Sequence, residues 1–145
     1  MKAKLILMCT AVSISLCLSA CAPTPQQEAV DVSCDDFMKV HFISEEVEVA
    51  SGESFTVTLC SNPTTGFQWA EAQISDPATI EQIDHQFTPP AYTDGSPPAP
   101  GSPGKEVWTF KALKPGDSTV SMEYNQPWEG GMKAAWTFVL TVVVK

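Results

Sequence analysis

The sequence predicts an all-β protein, a sandwich of about seven to eight antiparallel strands. Apolar and polar residues alternate with a period of two, most clearly over residues 54–59 and 136–144. Clusters of Gly, Pro, Asn and Asp bound these runs, and no run has the 3.6-residue period of a helix. The last run is apolar on both faces, which is typical of a central strand.

The alternation places the strands in order along one domain. Strands are expected over about 37–49, 54–59, 67–74, 80–87, 107–112, 120–124 and 136–144. Tight turns are expected at 51–53 and 114–117, and residues 75–77 interrupt the pattern. This number of short strands with turn signals between them favours an immunoglobulin-like sandwich.

The N-terminus has the pattern of a bacterial export signal. Lys2 and Lys4 precede an uncharged apolar run over 5–18, and small residues then lead to Cys21. This ending resembles the lipobox, in which cleavage before the cysteine leaves a thiol that carries diacylglycerol. An ordinary signal cleaved nearby is the alternative. If the cell is Gram-negative, the absence of Asp after Cys21 resembles the signal for the outer membrane.

These features divide the chain into three parts and limit its partners. Residues 1–20 are expected to be a lipoprotein signal peptide, 21–35 a lipid-anchored flexible tether, and 36–145 the sandwich domain, a monomer held at the cell envelope. Without Lys2 and Lys4 the net charge moves from −9 to −11, and the sequence contains no arginine. A chain this acidic is not expected to bind nucleic acid, and any membrane contact is expected through the lipid.

Two of the five cysteines remain for a disulfide bond. Cys9 and Cys17 leave with the signal, and Cys21 is assigned to the lipid. In an exported protein Cys34 and Cys60 are expected to pair, which would stabilise the domain by roughly 3–4 kcal/mol in the chain-entropy description. Two buried free thiols are the alternative.

Three irregular segments interrupt the strands, and we name them by chain order. The first loop is 62–67, Asn-Pro-Thr-Thr-Gly-Phe; the second loop is 88–104, rich in Pro and Gly; the third loop is 125–132. The first loop is either a plain hairpin connection or a stiff projection, since Pro63 fixes φ and Gly66 allows a positive φ. Because two strands and a turn separate successive loops, all three are expected at one end of the sandwich.

These loops resemble those of the chagasin family of cysteine-peptidase inhibitors. That family carries Asn-Pro-Thr-Thr-Gly, Gly-x-Gly-Gly and Arg-Pro-Trp loops, in this order, at one end of an immunoglobulin-like sandwich. The first motif is intact here at 62–66, the third is kept as Gln-Pro-Trp at 126–128, and the second is degraded to Gly-Ser-Pro-Gly at 101–104. The likeness extends from about Val40 to the end of the chain.

The resemblance implies a reversible inhibitor of papain-like cysteine peptidases, with no cofactor and no metal. The first loop would enter the active-site cleft while the second and third loops clasp its walls. The implied peptidase-binding residues are Asn62, Pro63, Thr64, Thr65, Gly66, Phe67, Gly101, Ser102, Pro103, Gly104, Gln126, Pro127 and Trp128. Trp128 is expected to be exposed among polar residues and glycines, although a core position at a strand end is the alternative.

Two other classes of function remain open at this point. The first is a lipid-anchored adhesion or envelope-interaction module without inhibitory activity. The second is an enzyme, for which the sequence has only His41 and His85, each alone in an alternating run. No nucleophile–histidine–carboxylate spacing and no cluster of metal ligands accompanies them, so an enzyme is not expected.

Overall fold

The computed structural model describes residues 27–145, and strands account for just over half of these residues. The signal region and Cys21 lie outside the described residues. The part described contains nine strands, one single-turn α-helix and one turn of 3-10 helix at Pro63–Thr65. The strands and the α-helix are β1 (Glu28–Val32), α1 (Cys34–Phe37), β2 (Phe42–Val49), β3 (Ser54–Ser61), β4 (Gln68–Trp69), β5 (Gln73–Ile74), β6 (Ile80–Thr88), β7 (Gly104–Ala112), β8 (Gly116–Asn125) and β9 (Trp136–Val144). No helix within 27–145 has the length and hydrophobicity needed to span a membrane.

The strands form two sheets that pack face to face, which confirms the predicted sandwich. One sheet has the order β1-β3-β7-β6 and the other β2-β9-β8-β4, with β5 also paired to β8. Both sheets are mixed, because β1 runs parallel to β3 and β2 runs parallel to β9. Alternation shows which face of a strand is buried and carries no information on the direction of its neighbour, so the sequence did not indicate these two parallel pairs.

The core consists of the inward-facing side chains predicted from the alternation. The central strands β3, β7, β8 and β9 supply its largest fully buried members, which include Phe55, Leu59, Trp108, Phe110, Met122, Phe138 and Leu140. Each such side chain contributes about 1.5–3 kcal/mol of transfer free energy on burial. The predicted central position of the last strand is confirmed, since β9 lies between β2 and β8.

The N-terminal part of the domain differs from the expected tether. Residues 28–32 form β1 at the edge of β3, and the chain then turns through α1 before β2 begins at Phe42. Ser33 caps α1, because its Oγ accepts from the backbone N–H of Asp36 at 3.1 Å and donates to the Asp36 carboxylate at 2.7 Å. Phe37 is buried, 3% exposed, at the end of this turn. The cap and the buried ring therefore produce a helical turn where a strand start was predicted.

A disulfide bond between Cys34 and Cys60 joins α1 to β3. The two Cα atoms are 4.9 Å apart. The pairing expected from the export signal is present in the structure. It attaches the N-terminal segment to the residue that lies two positions before the first loop.

The three loops leave the sandwich at the same end. Ser61, at the end of β3, is paired with Gly104, at the start of β7. Tyr124, near the end of β8, is paired with Trp136, at the start of β9. Because β1 and β2 run parallel to β3 and β9, α1 and the link to β2 lie at this end as well. We call this end the loop pole.

Candidate functional site

The first loop is a closed turn held by its own hydrogen bonds. Pro63–Thr65 form one turn of 3-10 helix, and Gly66 follows in the left-handed region at φ +78°. The carbonyl of Asn62 accepts from the backbone N–H of Thr65 at 3.1 Å and from its hydroxyl at 2.7 Å. The hydroxyl of Thr64 donates to Asn62 Oδ1 at 2.7 Å. The side chains at 63–65 are exposed while the backbone has little freedom to change shape.

Aromatic residues support the loop from below. The backbone N–H of Asn62 donates to the hydroxyl of Tyr124 at 2.8 Å. Phe67 is half-buried and stacks on Tyr124 with ring centroids 5.6 Å apart, and its edge meets Trp136. Phe67, which the sequence placed among the contact residues, therefore packs against the aromatic core. The supporting role of Tyr124 was missed, because alternation shows only that this residue is buried.

A chain of hydrogen-bonded polar side chains runs from buried Ser61 and Glu106, at the base of the first loop, to the exposed ring of His85. The hydroxyl of Ser61 donates to Glu106 Oε1 at 2.7 Å, and Nε2 of His85 lies 2.7 Å from Glu106 Oε2. The His85 ring stacks on Trp108, with centroids 4.6 Å apart. Because the carboxylate separates the serine from the histidine, His85 is not placed to accept the serine proton as a catalytic histidine must. The chain joins β3, β6 and β7 at the base of the first and second loops.

The remaining histidine also has a structural environment. His41 stacks on Trp136, and its Nδ1 lies 2.9 Å from the carbonyl of Ala135. Across residues 27–145, no group of three or more His, Cys, Asp or Glu side chains is arranged to hold a metal ion. Both histidines are therefore packed against tryptophans.

The second loop contacts the first through a hydrogen bond between their tips. Nδ2 of Asn62 donates to the carbonyl of Gly101 at 2.7 Å. Gly101 has φ +83° and is the third residue of a turn in which the N–H of Ser102 donates to the carbonyl of Ala99 at 3.0 Å. Asn62 thus connects the two loops with one side chain, because its Oδ1 accepts from the first loop and its Nδ2 donates to the second.

Gly104 differs from the other residues predicted in the second loop. It is buried at the start of β7, and a Cβ there would collide with the carbonyl oxygen of Thr88 and lie 2.8 Å from Cζ of Phe87. A glycine is needed at this position because β6 packs closely on β7. Gly104 therefore has a structural role and no surface to offer a partner. Pro103, by contrast, is exposed.

The third loop is closed by the residue that departs from the family motif. The backbone N–H of Gln126 donates to the carbonyl of Met132 at 2.8 Å, and Gln126 Oε1 accepts from the backbone N–H of Met132 at 3.1 Å. An arginine has no acceptor atom and could not form the second bond. Gln126 therefore holds this loop closed, and Pro127 and Trp128 project from it.

Trp128 brings the third loop against the first. Its side chain is 49% exposed, as expected for a surface position. A Cβ on Gly66 would lie 2.6 Å from Cη2 of the Trp128 ring, so the indole rests directly on the first loop. The structure brings Thr64, Gly101 and Trp128 together at the loop pole, and the predicted convergence of the three loops is confirmed.

The sequence matches a known family over most of the described domain. Residues 48–142 match the family described as chagasin family peptidase inhibitor I42. The chain belongs to the chagasin family of peptidase inhibitors. This family consists of inhibitors and not of enzymes.

Individual relatives of this chagasin-family protein are distant in sequence. Amoebiasin-2 of Entamoeba histolytica is 24% identical over 114 residues, covering 75% of this chain and 89% of the relative. The crystal structure of the cysteine protease inhibitor EhICP2 of Entamoeba histolytica is similar, with a TM-score of 0.58 and 21% identity over 72% of this chain and 95% of that chain. The structure of PbICP-C in complex with falcipain-2 gives a TM-score of 0.50 and 14% identity, covering 81% of this chain and 99% of that chain. These likenesses support the shared fold.

Proposed function

We propose that this protein reversibly inhibits papain-like cysteine peptidases, with the first loop inserted into the active-site cleft and the other two loops against its walls. The observation that carries the proposal is the joining of the three loops into one surface by the Asn62–Gly101 hydrogen bond and the Trp128–Gly66 contact. Membership of a peptidase inhibitor family supports it, as does the complex of the structural relative PbICP-C with falcipain-2.

The shape of the first loop favours binding without cleavage. A peptidase cleaves a chain that it holds in an extended conformation, whereas Pro63–Thr65 form a 3-10 turn. The carbonyls of Asn62 and Pro63 are already engaged, with the N–H groups of Thr65 and Gly66 at 3.1 and 3.0 Å. A loop that is ordered before binding also loses little conformational entropy in the complex.

Trp128 is the strongest candidate for a binding hot spot. Its indole is half exposed, and the contact with Gly66 holds it in place. Tryptophans that fill a pocket at the centre of an interface typically cost about 2 kcal/mol or more when truncated. We therefore assign to Trp128 the largest side-chain contribution outside the first loop.

We also propose that the domain is held at the cell envelope by a lipid on Cys21, on the outer membrane if the cell is Gram-negative, and acts as a monomer. The sequence before residue 27 supports this through its basic start, apolar run and lipobox-like ending. Because β1 begins at Glu28, the linker from Cys21 reaches at most roughly 25 Å. The start of β1 lies beside the start of β3, at the end of the sandwich opposite the loop pole, so the loop pole would point away from the membrane.

A titration of peptidase activity tests the inhibitory function. Residues 21–145 with Cys21→Ser would be added to papain, to a cathepsin-L-like peptidase and, as the control, to trypsin, each with a fluorogenic peptide. We expect reversible inhibition of the two cysteine peptidases only, with the inhibitor recovered intact. If neither is inhibited at micromolar concentration, the proposal is wrong and the adhesion or envelope-interaction module is favoured.

A further inference from the structure

An apolar cavity of about 380 Å³ opens at the loop pole beside the first loop. Phe37 and Met38 of the α1 segment line one side of it. Asn62 and Thr65 of the first loop and Pro103 of the second loop line another. The cavity is therefore continuous with the surface that we propose enters a peptidase cleft, and its volume lies in the range of pockets that bind small organic groups.

The cavity is lined by side chains that have little to offer a polar ligand. Cys34 and Cys60, which form the disulfide, line it together with Phe37 and Phe67. Trp136 also lines it, and the indole N–H of Trp136 is buried without a hydrogen-bond partner among residues 27–145. An apolar occupant would leave this N–H without an acceptor, so the donor does not decide what the cavity binds, whereas the apolar lining favours an apolar group.

The wall formed by the α1 segment lies outside the residues that match the family model. The family match begins at residue 48, after α1 and the link to β2. Met38 is 70% exposed at the rim of the cavity, and Phe42 is 62% exposed where β2 begins at the same pole. The disulfide and the Ser33 cap hold this segment in a defined position, so two exposed apolar side chains are presented on a rigid support.

We propose that this cavity is a fourth contact site, which takes one apolar side chain from the rim of the target peptidase and so contributes to the choice of target. The inference rests on the proposed inhibitory function. Because Asn62 and Thr65 belong both to the cavity wall and to the inserted loop, a cleft that receives the first loop brings its own rim against Met38. Burial of an apolar side chain in the cavity removes both that side chain and the cavity wall from water.

Substitution of the rim residue, with a matched control, tests the proposal. Met38→Glu places a charge against the apolar cavity and is expected to raise the inhibition constant at least about tenfold for the peptidase that the wild type inhibits most tightly. Leu113→Glu is the control. Leu113 is also an exposed apolar residue, 38% exposed, but it lies between β7 and β8 at the opposite end of the sandwich. Both variants are expected to keep the wild-type melting temperature.

Methionine methyl resonances give a second measurement that does not depend on a substitution. Residues 21–145 retain three methionines: Met38 at the cavity rim, exposed Met132 in the third loop and buried Met122 in the core. With 13C-methyl labelling and an inactivated peptidase, we expect the Met38 and Met132 resonances to shift and that of Met122 to stay.

The outcomes separate this inference from the function on which it rests. If the wild type inhibits, Met38→Glu inhibits equally well and the Met38 resonance is unmoved, the fourth contact is wrong and the three-loop inhibitor stands. A wild type that binds neither cysteine peptidase overturns both. If Met38→Glu only abolishes a concentration-dependent dimer and leaves inhibition unchanged, the cavity receives a second copy of the chain and the peptidase contact is rejected.

Discussion

The ring of Trp128 occupies the space beside Gly66 that a side chain at position 66 would fill. The distance from an ideal Cβ at Gly66 to Cη2 of Trp128 is only 2.6 Å, and Gly66 has φ +78°. A glycine is therefore required for two independent reasons, the left-handed backbone and the close approach of the ring. The first and third loops are mechanically coupled through this one contact.

A double-mutant cycle at Gly66 and Trp128 should show this coupling. Gly66→Ala is expected to cost about 1–2 kcal/mol of stability from backbone strain alone, plus the cost of moving the ring. In a Trp128→Ala background only the strain remains. Gly66→Ala should therefore cost at least about 0.5 kcal/mol less stability in that background than in the wild type. Urea denaturation measures the stability of all four proteins. Strictly additive changes would show that the ring moves away freely.

The same cycle has an inhibitory readout. Trp128→Ala should weaken inhibition by about 2 kcal/mol or more, roughly thirtyfold, because the indole is proposed to fill a pocket on the peptidase. Gly66→Ala should weaken inhibition as well, since it displaces the ring and alters the inserted turn. Inhibition constants against papain check both. Wild-type inhibition by Trp128→Ala would remove the third loop from the proposed contact.

Asn62→Asp should separate the two hydrogen bonds of this side chain. Asp keeps an acceptor for the Thr64 hydroxyl and loses the donor to the Gly101 carbonyl. We expect the first loop to keep its shape and the second loop to become more mobile, with a several-fold faster dissociation from the peptidase. Asn62→Ala, which loses both bonds, is the control and should be more damaging. Equal dissociation rates for Asn62→Asp and the wild type would mean that the inter-loop bond is unimportant for binding.

Removal of the disulfide bond should destabilise the domain. The double variant Cys34→Ser, Cys60→Ser is expected to lose about 3–4 kcal/mol of folding stability. Without the bond, the unfolded chain regains the conformational freedom of the segment between two cysteines that are 26 positions apart in the sequence. Urea denaturation of the variant and of reduced wild type should agree. If reduction leaves the free energy of unfolding unchanged, the N-terminal segment contributes little to the fold.

Asp76 should make stability depend on pH without affecting inhibition. The pKa of its carboxyl group lies below the ordinary value because it accepts hydrogen bonds from the Thr79 hydroxyl at 2.7 Å and the Ala78 N–H at 3.0 Å. A carboxyl group whose pKa is lower in the folded state stabilises the folded protein at pH values above its unfolded-state pKa. This stabilisation is lost as the pH falls through the folded-state pKa.

Asp76→Asn should therefore be less stable than the wild type near pH 7, and the difference should shrink as the pH falls below about 4. Thermal unfolding at several pH values measures it, and comparison with the wild type cancels the parallel contribution of Asp36, whose pKa is also lowered, first by the Ser33 hydroxyl. Inhibition should be unchanged, since this turn precedes β6 at the end of the sandwich away from the loops. A difference in stability that is constant with pH would rule out the carboxylate as its source.

Short-range patterns predicted most of the sandwich and failed where long-range pairing decided the outcome. The run from Phe55 to Leu59 alternates so regularly that its buried face could be identified directly, and all three apolar residues of that face are fully buried. Residues 28–32 carry no comparable signal, and they become a strand only because the edge of β3 is available for pairing. The expected strand over 67–74 is divided into β4 and β5, both paired to β8.

At the candidate site, too, local features could be predicted and long-range contacts could not. The turn residues Pro63 and Gly66 indicated a stiff first loop, because their allowed φ values are a local property. The burial of Gly104 and the packing of Phe67 were not predicted, since they depend on β6 and on the aromatic residues of the opposite sheet. The cavity beside Met38 could not be foreseen, because it is enclosed by segments that are distant in sequence.

The sequence by itself determined most of the strands along the chain, the stiff first loop and the three motifs, since propensity and alternation act over a few neighbouring residues. Only the tertiary structure decided that Asn62 joins two loops, that Trp128 rests on Gly66 and that α1 closes a fourth side of the loop pole. Each of these contacts joins residues far apart in the chain. Their geometry follows from how the two sheets pack, and no local pattern encodes it.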